Sequence, residues 1–138
     1  MKTYLIKVQQ PGQNVNPLFA SLGVVVEKLS PESVVLRLPF RLDFIQGGGM
    51  IAGGIIATLA DEAMAHAALI NLNPGETTAT IEMNIRYLKG CASGDITATA
   101  SLIKKGRRVI TLQAEIANKN NQSVALAGAS FMVLDKNN

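Results

Sequence analysis

Tryptophan is absent from this chain, and aromatic residues make up only 4% of it. That is too few for the stacking platform on which single-stranded nucleic acid rests, and a net charge of +3 is too small for the basic stripe that grips a duplex. Nucleic acid is not an expected partner. Cysteine is scarce too: Cys91 stands alone, so the chain can close no internal disulfide and has no thiolate companion for a zinc cluster. A reducing, cytoplasmic setting without a metal site follows as the expectation. Long apolar runs are also missing. The longest candidate is interrupted by Asp61, Glu62 and His66, short of the roughly 18 apolar residues that suggest a membrane span. At the N-terminus Lys7 follows Tyr4-Leu5-Ile6, too brief an apolar stretch for a signal peptide. Neither a membrane partner nor export by that route is expected.

What is present suits one folded domain over residues 1–138: 48% of the chain is hydrophobic and 17% charged, enough to bury a core. Residues 1–15 form a peripheral arm, a short strand or helix ended by Pro11-Gly12. Asn16-Pro17 reads as a helix cap and first helical residue, with the helix closing at Gly23. Val24 to Leu29 and Ser33 to Leu38 are β-rich runs on either side of a Ser30-Pro31-Glu32 turn. A long helix follows the glycine run that begins at Gly47. Four strands then succeed one another as hairpins, at Thr77 to Leu88, Gly94 to Ile103, Arg108 to Ala117 and Ser123 to Leu134, before a frayed tail at Asp135 to Asn138. On the first of these, Ile81, Met83 and Ile85 share a face. This order predicts an α+β fold, an antiparallel sheet with one helix on it. Such a sheet leaves edges to protect, so a homodimer or larger assembly is expected.

The segment Gly47 to Ile70, GGGMIAGGIIATLADEAMAHAALI, concentrates the chemistry. Gly53 and Gly54 lack side chains, so a ligand can approach their N–H donors, which lie unpaired at the positive end of the helix. A polarised carbonyl or oxyanion suits that place. Successive helical residues advance by about 100°, which puts Gly54, Ala57, Thr58, Asp61, Ala65 and Ala68 on one stripe. Asp61 is the only acid there, and burying it among small residues is costly without a use. Glu62 and His66 fall on a neighbouring stripe at the spacing of a surface pair. Lys104, Arg107 and Arg108 sit at a hairpin, and Arg86 near the end of the long strand. As a solvated turn the hairpin needs no ligand, but arginines at this density also suit phosphate oxygens. Met50 and Met64 are placed to line an apolar channel.

Ala52-Gly53-Gly54-Ile55-Ile56-Ala57-Thr58-Leu59-Ala60-Asp61 resembles the His-Gly-Gly, then Ala-Thr-Leu-x-Asp signature of hotdog-fold thioesterases of the phenylacetic-acid-degradation type. The run Thr80 to Leu88 is similar to that family's long central strand, and Gly106-Arg107-Arg108 to the turn before a later one. The resemblance implies a sheet of about five to six strands wrapped around one long helix. It implies two subunits joined edge to edge, with active sites between them, and a pairing of dimers into a tetramer. The implied reaction is hydrolysis of an acyl-coenzyme A or acyl-carrier thioester. Gly53 would offer its N–H to the thioester oxygen, and Asp61 would activate water or attack directly. Gln46 would orient substrate or water, and Thr80 would supply a hydroxyl from the partner subunit. Gly54, Thr58, Met50, Arg86, Lys104, Arg107 and Arg108 would contact substrate. No metal or redox cofactor is implied, coenzyme A being part of the substrate. The family's usual His falls at Ala52, so a non-catalytic acyl-thioester binding protein is the alternative. Hotdog hydratases, a third option, use an Asp and a His five residues apart with Asn-Pro between. Here Glu62-Ala63-Met64-Ala65 continues a helix and sets Asp61 and His66 about 140° apart.

Overall fold

Alternation of apolar side chains builds the sheet. In the computed structural model, which describes residues 2–135, β2 (Val34–Leu38) buries Val34, Leu36 and Leu38, and β5 (Val109–Ala117) buries Ile110, Leu112, Ala114 and Ile116, every second residue in each case. That period places one face of the sheet on a core. The other strands are β1 (Val25–Leu29), β3 (Glu76–Tyr87), β4 (Ile96–Lys105) and β6 (Ser123–Asp135). All pairings are antiparallel, in the order β1-β2-β4-β5-β6-β3. Asp135 does not fray but pairs with Glu76; the rest of the expected frayed tail lies outside the described residues.

Among the described residues, three α-helices accompany the sheet. The arm forms α1 (Lys2–Lys7), and Leu5 and Val8 are buried. In α2 (Pro17–Leu22) the Asn16 side chain accepts from the Phe19 N–H at 3.0 Å, and Gly23 closes the helix in the left-handed region, with φ 76°, as its sequence predicts. The long α3 (Gly53–Ile70) lies in the sheet's concavity, with Ile56, Leu59, Ala60, Ala63, Met64, Ala67 and Ala68 buried. Its alanines let helix and strands approach closely. By length and a mean hydropathy of 1.2 this helix is apolar enough to cross a bilayer, but here its apolar side is spent on the sheet. Met64 is completely buried, so within one chain it lines no open channel.

Two expectations about β3 are corrected. It pairs with β6, not with β4, because the chain after Tyr87 does not turn back. Leu88 and Lys89 donate to the Val124 carbonyl, and Cys91 accepts from Ile51 ahead of α3, so residues 88–95 carry the chain across the sheet's end to β4. This makes β3 an edge strand. In addition, the β3–β6 register shifts between Thr80 and Glu82. A bulge breaks the two-residue period, so Ile81 is 49% exposed while Met83 and Ile85 pack against the core.

Candidate active site

Asp61 and Thr80 meet where the middle of α3 faces β3. Thr80 Oγ1 donates to Asp61 Oδ1 at 3.2 Å within one chain, whereas the resemblance implied a hydroxyl supplied from the partner subunit. Burial pushes the Asp61 carboxyl above its usual value, and the Thr80 bond opposes the shift. An acid whose proton affinity is raised toward neutrality is a better general base than a fully solvated one.

The start of α3 lies at the other end of β3. Ala52 provides no side-chain cap, and Gly53 and Gly54 direct N–H groups at no acceptor among the described residues. They are the orphan donors of a first helical turn. Tyr87 Oη donates to the Gly53 carbonyl at 2.6 Å, and its ring covers Gly53 so closely that an added Cβ would stand 3.2 Å from it. Gly53 is thus held by its own carbonyl while its amide is free. Asp61 lies eight positions beyond Gly53, about 12 Å along the helix axis.

Gln46 is exposed ahead of the glycine run, in a turn closed by Gln46 N–H to the Met50 carbonyl (2.8 Å) and Gly49 N–H to the Gln46 carbonyl (2.9 Å). Gly49 adopts φ 84°, which favours glycine. The Gln46 side-chain oxygen accepts from Gly48 N–H. Met50 is 40% exposed, with its sulfur over Gly90. The Thr58 hydroxyl is already used, donating to the Gly54 carbonyl at 2.8 Å. Arg86 is exposed on β3, level with Leu126, whereas Lys104, Arg107 and Arg108 are exposed at the β4–β5 turn, level with Val133 and Thr78. Along β3 those levels are about 26 Å apart, so within one chain Arg86 does not join the hairpin cations.

Glu62 and His66 are not the surface pair their spacing predicts. His66 is 1% exposed, its Nδ1 2.7 Å from the Glu62 carbonyl oxygen and its Nε2 3.1 Å from Tyr4 Oη. A carbonyl can only accept, so Nδ1 carries the hydrogen and Nε2 accepts from Tyr4. Asn16 Nδ2 donates to both Tyr4 Oη (3.0 Å) and Glu62 Oε2 (3.2 Å). Burial lowers the His66 pKa and raises that of Glu62. The arm and α2 cover this side of α3, which local periodicity cannot reveal because Tyr4 and His66 are 62 positions apart. His66 bonds to Glu62 and Tyr4, whereas Asp61 bonds to Thr80. Among the described residues no group of three or more His, Cys, Asp and Glu side chains is placed to hold a metal ion.

The family model of the thioesterase superfamily matches residues 48–125, more than half the chain, taking in Gly53, Asp61 and Thr80. A thioesterase family protein from Silicibacter pomeroyi is 26% identical, with a TM-score of 0.82 over 96% of this chain and 98% of that one. A thioesterase from Haemophilus influenzae, 23% identical with a TM-score of 0.84 over 88% and 85% of the two chains, shares the fold. Acyl-coenzyme A thioesterase 13 of Homo sapiens is 25% identical over 116 residues, 83% of this chain and 81% of that protein. The match runs through the glycine-to-helix segment and β3, where the free amides and the raised carboxyl lie, and on that basis the chain belongs to the thioesterase superfamily as a thioester hydrolase of hotdog fold.

Proposed function

We propose that this protein hydrolyses acyl-coenzyme A thioesters at a site completed by two copies of the chain, with Gly53 from one and Asp61 from the other. The carrying observation is the spacing on α3. A carbonyl oxygen must lie about 3 Å from its donors, and the attacking water must reach the same carbon. Gly53 and Asp61 of one chain, about 12 Å apart along the helix, cannot both serve one thioester. The edge strand supplies a remedy. Because α3 runs antiparallel to β3, Gly53 lies at Tyr87 and Asp61 at Thr80. Two β3 edges paired antiparallel about a two-fold between Met83 and Asn84 set Thr80 of each chain opposite Tyr87 of the other. Each Asp61 then faces the other chain's free glycine amides. The half-exposed Ile81 and Tyr87 support such a pairing, since a long open edge with unpaired backbone groups invites strand addition.

In this site the amides of Gly53 and Gly54 polarise the carbonyl and stabilise the oxyanion. Asp61, held by Thr80, takes a proton from water as its oxygen attacks the carbon. The tetrahedral intermediate collapses with cleavage of the C–S bond, and the proton passes from Asp61 to the departing thiolate. Direct attack by the carboxylate, giving an anhydride that water then opens, uses the same residues. Gln46, in the turn that precedes the helix start, is the residue to which this reading gives the task of orienting substrate or water. The two-fold also carries the partner's Arg86 toward the sheet end that bears Lys104, Arg107 and Arg108, which supports recognition of coenzyme A phosphates. The likeness to a named acyl-coenzyme A thioesterase supports that choice of substrate.

Thiol release from acyl-coenzyme A esters tests the reaction, and mixing tests the shared site. Asp61→Asn and Gly53→Pro are each expected to be inactive. Unfolded and refolded together they should regain about a quarter of wild-type turnover, because half the pairs are mixed and each mixed pair has one intact site. A mixture as inactive as its parts refutes the shared site. Binding of the esters by wild type without any thiol release favours the non-catalytic reading that Ala52 raises.

A further inference from the structure

The two free amides at the start of α3 each share a peptide unit with the carbonyl of the residue before. The Gly53 N–H belongs with the Ala52 carbonyl, which accepts from Ile55 N–H at 3.0 Å and from Ile56 N–H at 3.2 Å. The Gly54 N–H belongs with the Gly53 carbonyl. Helical pairing assigns that oxygen to the Ala57 N–H, and its remaining lone pair accepts from Tyr87 Oη at 2.6 Å. A hydrogen bond taken at the oxygen of a peptide withdraws electrons from its nitrogen and makes the N–H a stronger donor. Both orphan amides are therefore backed by bonds at the opposite end of their own peptide units.

The backing of Gly54 differs from that of Gly53 in its source. A carbonyl in the first turn of a helix already has an intrahelical partner, the orphan carbonyls being those of the last turn, so the tyrosine relieves no stranded group. Its hydroxyl comes from a residue 34 positions away that is 50% exposed, where water would serve it equally well. Ala52 supplies no side-chain cap, and this turn is steadied from β3 instead. Gly54 is exposed, and an added Cβ there would meet nothing within 4 Å. The residue whose amide Tyr87 backs thus borders open space.

We infer, on the hydrolase reading above, that Tyr87 is a positioning residue for the reaction: through the Gly53 carbonyl, its hydroxyl orients the Gly54 N–H and strengthens it as a donor to the oxyanion. Tyr87 itself touches no reacting atom. A stronger donor gains more from an oxyanion than from a ground-state carbonyl, so the effect belongs to the transition state. Removal of the hydroxyl should lower kcat and leave KM nearly unchanged.

Tyr87→Phe tests this, because it keeps the ring over Gly53 and deletes only the hydroxyl. With butyryl-coenzyme A, at concentrations where both proteins sediment as pairs, kcat should fall about fivefold, the scale of one modest hydrogen bond, with KM within about twofold of wild type. An unchanged kcat, or a loss confined to KM, overturns the inference while leaving the hydrolase reading intact. The stretching band of the bound thioester carbonyl separates this role from a packing defect. In butyryl-coenzyme A isotopically labelled at that carbon and bound to Asp61→Asn, which does not consume it, the band should lie below its solution position. Adding Tyr87→Phe should move it back toward that position, and an identical band in the two proteins overturns the role. If wild type releases no thiol from any acyl ester, the hydrolase reading fails separately. The same spectra from wild type and Tyr87→Phe then decide whether Tyr87 acts through this peptide: a shifted band supports it and an unmoved band overturns it.

Discussion

Acidification should loosen this fold at one identifiable place, the His66 ring. Both its nitrogens are used in the neutral form, Nδ1–H toward the Glu62 carbonyl and Nε2 accepting from Tyr4. A proton on Nε2 would face the Tyr4 hydroxyl hydrogen and deprive it of its acceptor, inside a site where His66 is 1% exposed. Burial accordingly depresses the His66 pKa below its ordinary 6.5. The unfolded chain then binds a proton that the folded chain refuses. The stability this confers is present in full above pH 6.5 and is lost as pH falls from there toward the folded value, at up to about 1.4 kcal/mol per pH unit. Asp61 and Glu62 act with the opposite sign. Their folded values are raised above 3.8 and 4.5, so each adds stability on acidification through its own window. The Glu62 carboxylate, 3.8 Å from Nδ1, would compensate an imidazolium only while it stays ionised, and its raised affinity for a proton works against that. The assay is urea unfolding at half-unit steps from pH 7.5 to 5.0, for wild type and His66→Gln. The variant should be less stable at pH 7.5 by about 1–3 kcal/mol, from the Tyr4 hydroxyl left without its acceptor and the lost Nδ1 bond to the Glu62 carbonyl. The stability difference between the two proteins should shrink as pH drops below 6.5. A constant difference across the range would refute the assignment of His66 as the proton-sensitive group.

Three further outcomes follow from the site. Gly53→Ala brings a methyl to 3.2 Å from the Tyr87 ring; kcat should fall at least about tenfold through displacement of the amide, and Tyr87→Ser in the same chain should recover part of it, whereas equal losses in single and double variants would disprove the steric cause. Ile81→Lys puts a charge on the open β3 edge, so sedimentation should shift toward single chains and turnover should drop with it; active single chains would contradict the shared site. Asp61→Asn removes a carboxyl that burial penalises, so its unfolding free energy at pH 7 should equal or exceed that of wild type while thiol release falls about 10²-fold or more; a variant both active and less stable would overturn the role given to Asp61.

Much of this arrangement was readable from residue order. Asn16-Pro17 and Gly23 bounded α2 because capping chemistry is local, and the Gly53-to-Asp61 phase on α3 needs only the helical repeat. The sheet's connectivity was less legible. Thr77 to Leu88 has the β-branched content of a strand, but nothing in it says that β6 is its neighbour, and the bulge at Ile81 appears only once two registers must meet. The His66 environment was misread for a related reason: spacing from Glu62 describes one helix surface, whereas burial came from Tyr4 and Phe19 on elements far away in the chain. Thr80 was assigned a partner's task because a single sequence does not tell which chain a side chain reaches.

On the proposed two-copy site, the eight positions from Gly53 to Asp61 make quantity as well as integrity a condition of activity. A chain diluted below the dissociation constant of its pair can keep every strand, cap and buried side chain described above and still hydrolyse nothing, since its amides and its acid serve different substrates. Specific activity should therefore rise with enzyme concentration before levelling off, and the concentration at half-maximum would report the strength of the β3 pairing without any structural probe.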